Sequence, residues 1–472
     1  MERGDANATS RLLAILKSSV LYALPDALFK LVNFLLVPIL TNVLTQKEIG
    51  TLTLMTLTLD LVFQIFSLGF NSAAFREVIY NDVLLVDVMR TGFWTNTLTF
   101  TILLFLMAIF SKNISLILSG TSCYYNSFLF FTLASFFFYL GKWALVKYRI
   151  LKKPLKFAFI SVLRILIYSF LTVLVIGKLH YHIEGVAISR LISNLVFFVV
   201  GLVVLKEIRV FKIKFSLLKS MLFFGFPLVI GSLGFWGMSY ADNYFLRIYT
   251  DLEQVGIYSI AYRIGMSVLV AVMGIQMAWP VELYRIAKRE DASVYFGKII
   301  FQYFCVIGSL VLFVSIFAKE ILMLLTPEPY WQASRVIPLV ALSYFFMGLK
   351  YMVNVGTNLT GKTYFQTITL VISLIFNIIL NILLIPSYGY MGAAWATFIS
   401  FSLLLLMDII INQSLFYVKF NYIRFLILGL LGITMYLLST TLNFSGLWMY
   451  IVVKFVFLLV FVVISGILAV RS

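Results

Sequence analysis

The chain has 472 residues, of which 62% are hydrophobic and only 12% are charged, and its mean hydropathy is +1.04. Soluble domains are about half apolar and a quarter charged, so this composition excludes a soluble globular protein and predicts a polytopic membrane protein. A formal net charge of +17 is typical of nucleic acid binding in a soluble chain. In a membrane protein it reflects topology instead, so no nucleic acid partner is expected.

Fourteen hydrophobic stretches are long enough to span a bilayer, and they predict an all-α protein of about fourteen transmembrane helices. They lie near residues 18–43, 50–70, 91–111, 126–146, 157–177, 184–205, 221–248, 254–279, 297–318, 334–358, 363–385, 391–415, 421–440 and 446–469. Helices of about 20 residues leave only short connections, so we expect no soluble catalytic domain. The opening segment MERGDANATSRLLAILKSS has no small-residue cleavage site, so no removed signal peptide is expected.

The basic residues between the spans indicate the orientation. When Lys and Arg are counted in alternate connections, the side that includes both termini holds 23 and the other side holds five. The five are Lys47, Lys112, Lys178, Lys319 and Arg335. This asymmetry predicts a multi-pass protein of the cell (inner) membrane with both termini in the cytoplasm. The richest basic loops, Lys147–Lys156 and Lys206–Lys219, are typical of topological anchors on anionic membrane lipid.

A weak internal repeat divides the chain into related halves. The residues Tyr181, Gly185, Ala187, Ile192 and Ser193 recur 207 positions later as Tyr388, Gly392, Ala394, Ile399 and Ser400. Gly50 recurs as Gly256 at an offset of 206. An even number of helices per half preserves orientation, so we expect two parallel six-helix lobes. The predicted segments are an N-terminal lobe over 1–205, a cytoplasmic basic linker over 206–220, a C-terminal lobe over 221–416, and helices 13 and 14 over 417–472.

Prolines occupy corresponding places in the first helix of each predicted lobe. Pro25 and Pro38 interrupt the first span, and Pro227 interrupts the seventh. A proline in a membrane helix frees a carbonyl group and permits a kink. The first helix of each half is therefore expected to be bendable at corresponding places, which fits a cleft between the halves that can open to either side.

Charged residues inside the spans indicate a polar interior. A cation near the bilayer centre costs at least roughly 2.5–3.5 kcal/mol, so it is retained where it faces water, a partner or an anionic cargo. The eight cations at this depth are Lys30, Lys142, Arg164, Arg190, Arg247, Arg263, Lys350 and Lys454. The five acids at comparable depth are Asp26, Asp60, Glu184, Asp242 and Asp408. The excess of cations predicts an interior suited to a phosphate group.

Neither cysteine nor histidine spacing indicates a metal or redox centre. Cys123 and Cys305 fall in separate segments and are interpreted as small core residues. No metal and no cofactor are expected.

Three sequence motifs resemble a known transporter family. The segment FNIILNILLIPSYGYMGAAWAT, from Phe376 to Thr397, carries the most specific match. A second match joins GFPL from Gly225, DNYFL from Asp242 and QVGIYSIAYRI from Gln254. A third joins VPILTNVLT, KEIG and LGFNSAAFRE in the first two spans. Over essentially its whole length the chain resembles the polysaccharide biosynthesis, or O-antigen (oligosaccharide) flippase, family of the multidrug/oligosaccharidyl-lipid/polysaccharide exporter superfamily.

The resemblance implies two six-helix lobes in a V, two further C-terminal helices and alternating access to a cationic cavity. The implied cargo is a polyprenyl-pyrophosphate-linked oligosaccharide, and a polysaccharide polymerase is an implied partner. Asn243 departs from the pattern, because many relatives carry a basic residue after the Asp. One cation for the cargo is therefore missing or relocated in this chain.

The deep cations supply the candidate substrate-binding residues, which are Lys30, Arg263, Lys350, Arg164 and Arg190. Asp26 and Lys30 lie four residues apart on one helix face, so an internal ion pair and a phosphate contact by Lys30 both fit. Arg263 lies deep in its span and is the strongest single candidate for cargo contact. For Arg164 and Arg190, packing between helices is favoured over contact with the cargo. Lys454 lies beyond the repeat and is interpreted as a structural cation.

The candidates for gating or ion coupling include three acids, Asp26, Asp60 and Asp242. Arg247 is a fourth candidate, as the partner of Asp242. Asp60 fits either an ion pair with Lys30 or the binding of a coupling cation. Asp242 and Arg247 lie near the outer end of the seventh span, where a gate pair and interfacial snorkelling both fit.

These observations favour a flippase that moves lipid-linked oligosaccharide from the cytoplasmic to the outer leaflet, and they predict that the chain is not an enzyme. One alternative is a same-fold small-molecule exporter, although cationic drugs require an acidic cavity. Another is a membrane glycosyltransferase or polymerase of the same pathway, which needs carboxylates for acid/base work in a sizeable outer loop. The longest outer loop, Lys319–Arg335, carries only Glu320 and Glu328. The GxxxxGKS/T pattern occurs at Gly356–Thr363 but lies between two apolar spans rather than between a strand and a helix, so direct ATP drive is not expected.

Overall fold

The computed structural model describes residues 21–441 and 447–470, and within these ranges the regular secondary structure is entirely helical. The predicted all-α fold of a polytopic membrane protein is therefore confirmed. The predicted cytoplasmic location of the termini concerns residues 1–20 and 471–472, which lie outside the described residues, and it stays a prediction.

The described helices include 12 that are long and apolar enough to cross a membrane, or up to 13 if the bent pair Leu252–Gly265 and Val268–Ile286 forms one span. One of the 12, Tyr364–Leu415, has 52 residues. At 1.5 Å per residue it would be about 78 Å long, more than twice the hydrocarbon thickness. Its course breaks at Gly389, whose φ of 55° and ψ of −136° are accessible to glycine only. The exact number of fourteen spans stays a prediction.

The packing divides the chain into two compact units, Met1–Gly256 and Ile257–Ser472. The described helices of the first unit are α1 (Leu21–Val43), α2 (Gln46–Phe66), α3 (Phe70–Ile79), α4 (Leu85–Ile109), α5 (Ser111–Ser119), α6 (Tyr125–Ile150), α7 (Pro154–Thr172), α8 (Ile183–Val204) and α9 (Phe215–Tyr249). Helix α10 (Leu252–Gly265) contains the boundary between the units. The predicted division into lobes of 1–205 and 221–416, a linker and two terminal helices stays a prediction.

The second unit continues with α11 (Val268–Ile286), α12 (Ala292–Ile316), α13 (Ala318–Leu325), α14 (Val336–Val353), α15 (Val355–Leu359), α16 (Tyr364–Leu415), α17 (Tyr422–Thr441) and α18 (Leu447–Val470). Helix α14 is the most enclosed of the candidate spans in this unit. It packs against α11, α12 and α16. Cys305 is buried on α12, as predicted, whereas Cys123 is exposed, so the interpretation of Cys123 as a core residue is wrong. Cys123 lies in the bend between α5 and α6, where the chain leaves the packed interior.

Local sequence signals explain where several helices begin. The Thr45 hydroxyl accepts the Glu48 backbone N–H at 3.2 Å, and the Glu48 carboxylate accepts the Thr45 N–H at 2.8 Å. This capping box fixes the start of α2, because it satisfies N–H groups that have no partner within the helix. Pro154 begins α7, a position at which the missing N–H costs nothing.

Glycines set the closest helix contacts of the first unit. A Cβ on Gly141 of α6 would overlap the Phe197 ring of α8, so these helices pack tightly because this position carries no side chain. A Cβ on Gly50 would overlap the Leu252 carbonyl oxygen, and a Cβ on Gly256 would overlap that of Gln46. The two contacts are reciprocal. The internal repeat relates the positions that they join, because Gln46 and Gly50 correspond to Leu252 and Gly256 at an offset of 206.

The predicted basic linker is tied to helices of the first unit. Lys147 of α6 forms an ion pair with Glu207 at 2.7 Å and donates to the Val204 carbonyl at 2.8 Å. Arg90 of α4 donates to the Glu207 carbonyl at 2.8 Å, and Lys214 pairs with Asp87 at 2.5 Å. The segment between α8 and α9 therefore has a defined position against α4 and α6.

Candidate functional site

Charged side chains from α1, α2, α6, α7 and α8 gather inside the first unit. The central contact joins α2 to α8, where Arg190 pairs with Asp60 at 3.3 Å. The side chains of these two residues are 22% and 41% exposed, respectively. The pair is therefore reachable by solvent or a ligand although it lies within membrane-spanning helices. The Tyr139 hydroxyl of α6 donates to the Asp60 backbone carbonyl at 3.3 Å and fixes α2 beside α6.

Aromatic rings hold two further cations close to this pair. The Lys142 ammonium lies 4.1 Å from the Tyr139 ring centre and 4.5 Å from that of Phe138. The Arg164 guanidinium lies 4.7 Å from the Phe138 ring centre and 5.3 Å from that of Phe29. Such cation–π contacts stabilise a charge without neutralising it, so both side chains keep their positive charge.

Asp26 and Lys30 complete the group from α1, where Lys30 is half-buried and Asp26 is exposed. Lys30 interacts electrostatically with Asp26, as their spacing predicts. The electrostatic neighbours of Lys142 are Asp60, Arg164 and Asp26, and those of Arg164 include Arg190. We call the six residues of this group the first-unit charge cluster: Lys30, Lys142, Arg164, Arg190, Asp26 and Asp60. Four cations against two carboxylates leave an excess of two positive charges.

Helix α9 presents aromatic side chains near the cluster. The Tyr244 hydroxyl shares a hydrogen bond of 2.9 Å with Thr58 of α2, and Tyr244 interacts electrostatically with Asp60. The Trp236 ring centre lies 6.0 Å from that of Tyr240 and 5.9 Å from that of Tyr244. This helix therefore adds an aromatic face to a site whose charges come from other helices.

The predicted gate residues Asp242 and Arg247 make separate contacts on α9. Asp242 is buried, and its Oδ1 accepts from the Asn243 backbone N–H at 2.8 Å and from the Asn243 amide at 2.9 Å. Arg247 donates from Nε to the Leu118 carbonyl at the end of α5, at 3.0 Å. Their joint role as a gate stays a prediction.

In the second unit, Lys350 of α14 lies in a buried polar network. Its Nζ is 3.7 Å from Asp408 Oδ2 of α16, and the two residues are 8% and 1% exposed. The Thr369 hydroxyl donates to Asp408 Oδ1 at 2.6 Å, and the Asn412 amide donates to Asn354 Oδ1 at 2.8 Å. The network joins α14 to both halves of α16, an arrangement typical of structural ion pairs.

The remaining deep cations of the second unit differ in their surroundings. Arg263 is half-buried near the end of α10. Lys454 of α18 is 3% exposed, pairs with Glu320 at 2.6 Å and donates to the Ile316 carbonyl at 2.8 Å. This geometry fits the predicted structural role of Lys454. Within the described ranges no group of three or more His, Cys, Asp or Glu side chains is placed to hold a metal ion.

Sequence reasoning placed Lys142 among the deep cations but not among the candidate binding residues, and the structure brings it into the cluster. The available signal was its position three residues after Tyr139, which puts both side chains on one helix face. Sequence reasoning also offered Lys30 as the partner of Asp60, whereas the structure pairs Asp60 with Arg190. The substrate-binding roles of Lys30, Arg164, Arg190, Arg263 and Lys350 stay predictions.

Helical bundles with this architecture are found among multi-pass membrane transporters. The structure superposes on one titled "Lipid II flippase MurJ, inward closed conformation" with a TM-score of 0.73 and 16% identity, covering 94% of this chain and 98% of that one. It is also similar to a mutant of the Vibrio cholerae MATE transporter VcmN, with a TM-score of 0.60, 14% identity and coverage of 87% and 98%. A multidrug resistance MATE family transporter in an outward-facing conformation gives a TM-score of 0.60 and 18% identity, with coverage of 85% and 94%. These likenesses establish that the chain shares the fold of these proteins.

The polysaccharide biosynthesis protein family matches residues 15–281, more than half of the chain, and the MatE family matches residues 227–383. The chain therefore belongs to the polysaccharide biosynthesis protein family, within the multidrug/oligosaccharidyl-lipid/polysaccharide exporter superfamily. The predicted family is confirmed. A search of curated proteins finds no significant match to the chain.

Proposed function

We propose that this protein is a flippase that moves polyprenyl-pyrophosphate-linked oligosaccharide repeat units from the cytoplasmic to the outer leaflet of the cell (inner) membrane. The product would serve synthesis of a surface polysaccharide such as O-antigen, capsule or exopolysaccharide. The observation that carries the proposal is the first-unit charge cluster, with its two excess positive charges inside membrane-spanning helices. A pyrophosphate diester is a dianion, so it matches this excess in sign and size.

In this proposal Lys30, Lys142 and Arg164 hold the pyrophosphate. Arg190 joins them by exchanging Asp60 for a phosphate oxygen, which the exposure of the pair permits. The rings of Trp236, Tyr240 and Tyr244 supply stacking surfaces for sugars, because the apolar faces of sugar rings pack on aromatic side chains.

The transport cycle is proposed to alternate between cytoplasmic and outer openings, with both termini cytoplasmic and Asp242 and Arg247 near the outer gate. Cargo must bind each state only moderately, because a ligand that strongly favours one state traps the protein there. A polysaccharide polymerase is the proposed downstream partner, because it would consume the flipped repeat unit. No chemical step on the cargo is proposed, so the protein is not an enzyme in this scheme.

A second candidate is a same-fold exporter of small molecules, which the MatE match over 227–383 favours. The sign of the cluster separates the two functions. A site for cationic drugs requires excess carboxylates, whereas the first-unit charge cluster has excess cations. An exporter with this site would therefore carry anions.

The decisive experiment deletes the gene in its host and measures lipid-linked glycan in each leaflet. Deletion should cause the repeat unit to accumulate on the cytoplasmic leaflet and should remove surface glycan. Complementation with Lys142→Gln or Arg164→Gln should reduce export by about 10- to 100-fold, the factor expected for losing one hydrogen bond to a charged group. Lys30→Gln should act similarly, and Lys30→Arg should keep part of the activity because the charge remains.

The matched control is Lys178→Gln, which removes an exposed lysine of the same unit outside the cluster. Its export should equal that of the wild type at equal protein level. Normal export by Lys30→Gln, Lys142→Gln and Arg164→Gln together would place the phosphate site elsewhere. A deletion strain with normal glycan but defective efflux of small anions would favour the exporter.

A further inference from the structure

A cavity of about 430 Å³ opens in the second unit beside the first turns of α12 and α17. Ligand sites are commonly of this size. Its wall carries three cations and several aromatic side chains, including Lys298, Lys419, Arg424, Phe301, Phe420 and Phe425. Asp and Glu are absent from its described lining residues. The cavity therefore combines a cationic rim with an aromatic interior, which suits an amphipathic anion.

The wall formed by the connection between α16 and α17 is held in place by specific contacts. The Gln413 amide donates to the Val418 carbonyl at 2.9 Å and accepts the Val418 N–H at 2.9 Å. The Lys419 N–H donates to the Ser293 carbonyl of α12 at 3.2 Å. A Cβ on Gly297 would overlap the Lys419 carbonyl oxygen, so this close approach requires glycine. The cavity is thus preorganised rather than a gap between loose segments.

The electrostatics at the rim favour an anion. Helix α17 begins here, and the first N–H groups of a helix carry partial positive charge and have no intrahelical acceptor. The Asp291 carboxylate interacts electrostatically with Lys298, and it accepts hydrogen bonds from Arg289 at 2.8 and 3.1 Å. Hydrogen bonds from Arg289 hold the pKa of Asp291 below its usual value, so the two charges cancel at neutral pH. The charges of Lys298 and Lys419 remain available to a ligand.

An apolar stripe runs from the cavity along α17. Ile423, Leu426 and Leu430 are 70%, 64% and 56% exposed, respectively. Their spacing of three and four residues puts them on one helix face. Both connections that form the rim lie on the predicted cytoplasmic side, where anionic lipids attract basic residues. A soluble anion would contact only the cationic rim, whereas a lipid would contact both the rim and the apolar stripe.

We propose that the cavity binds the phosphate headgroup of an anionic phospholipid of the cytoplasmic leaflet, with its acyl chains along the stripe of Ile423, Leu426 and Leu430. Lys298 and Lys419 contact the phosphate, and the aromatic wall packs against the glycerol backbone. This site is formed by the second unit alone and does not depend on the identity of the transported cargo.

The test uses the full chain, purified in a neutral detergent and titrated with dioleoyl phosphatidylglycerol, with bound lipid counted by native mass spectrometry. Lys298→Gln and Lys419→Gln should each weaken the tightest lipid-binding event about fivefold, as expected for losing one cation near an anionic headgroup. The matched control is Lys362→Gln, an exposed lysine of the same unit outside the cavity, which should bind like the wild type. Dioleoyl phosphatidylcholine should not occupy the site at the same concentrations.

Equal phosphatidylglycerol binding by the wild type, Lys298→Gln and Lys419→Gln would overturn the proposal. So would equally tight binding of phosphatidylcholine, because the site would then not select charge. Displacement of phosphatidylglycerol by low millimolar inorganic phosphate would identify a site for free anions rather than for lipid. Glycan export by the deletion strain complemented with Lys419→Gln is a separate measurement, so failure of the flippase proposal leaves this test intact.

Discussion

Replacing Lys350 by Met would leave the Asp408 carboxylate buried without its cation. The two charged groups are 3.7 Å apart and almost completely enclosed. With an effective dielectric constant near 20, unit charges at that separation attract by about 4 kcal/mol. Loss of one partner from a buried pair costs about 3–5 kcal/mol, because the remaining charge keeps its desolvation cost. We expect Lys350→Met to lower the free energy of unfolding by an amount in this range.

The double variant Lys350→Met with Asp408→Asn should recover most of this loss. Both side chains are then neutral, and the Asn oxygen can still accept the Thr369 hydroxyl that Asp408 accepts at 2.6 Å. Unfolding by SDS in mixed micelles, followed by tryptophan fluorescence, gives all four corners of the double-mutant cycle. Lys362→Met is the matched control, because it removes an exposed lysine of the same unit and should change stability by less than about 0.5 kcal/mol.

Glycan export by the same variants separates a structural role of Lys350 from cargo binding. A structural pair predicts that the double variant regains export together with stability. A double variant that is stable but does not export glycan would support a role of Lys350 in cargo binding. A Lys350→Met protein as stable as the wild type, with no coupling to Asp408→Asn, would refute the reasoning from burial.

Two further predictions concern topology and helix packing. In intact cells an impermeant maleimide should label Cys123, which is exposed in a predicted outer connection. The cysteine introduced by Lys212→Cys should react only after permeabilisation. The reverse labelling pattern would show that the proposed orientation is inverted. Gly50→Ala and Gly256→Ala should each destabilise the protein by about 1–3 kcal/mol in the same SDS assay, because the new Cβ would overlap a backbone carbonyl. Gly429→Ala, which meets nothing within 4 Å, should be neutral or slightly stabilising, and equal effects at all three positions would contradict the close approach.

Hydropathy alone was sufficient to predict the fold class, because a bilayer admits long apolar helices and excludes open strands. Three motifs together predicted the family, and the segment from Phe376 to Thr397 was the most specific of them. Hydropathy separated the eleventh and twelfth stretches at residues 386–390, and the structure interrupts α16 within this interval, at Gly389. Cys123 shows a limit of such reasoning, since the sequence placed this small residue in the core although it lies exposed in a bend.

The depth of the charged residues was readable from the sequence, but their partners were not. Asp60 and Arg190 are separated by 130 positions and meet only because α2 and α8 both pack against α6. Lys350 and Asp408 meet across α14 and α16 in the same way. Only the Asp26 and Lys30 interaction was predictable, because four residues on one helix fix the geometry locally. Ion pairs between helices depend on which helices pack together, and the periodicity of the sequence does not predict that.

The Lys350–Asp408 and Asp60–Arg190 ion pairs have similar chemistry but differ in their exposure, and exposure decides whether a ligand can reach them. Asp408 is 1% exposed, and its carboxylate accepts a hydrogen bond from Thr369. Lys350 could therefore leave Asp408 to bind a phosphate only if the packed interior opened. The Asp60 side chain is 41% exposed, and its pair with Arg190 is long at 3.3 Å, so an entering dianion can compete for the guanidinium. In the proposed transport cycle, Asp60 offsets the charge of Arg190 in the absence of cargo, and Arg190 leaves Asp60 when cargo arrives. This exchange would limit how tightly cargo binds, because Asp60 regains Arg190 on release, and transport between two states requires moderate affinity.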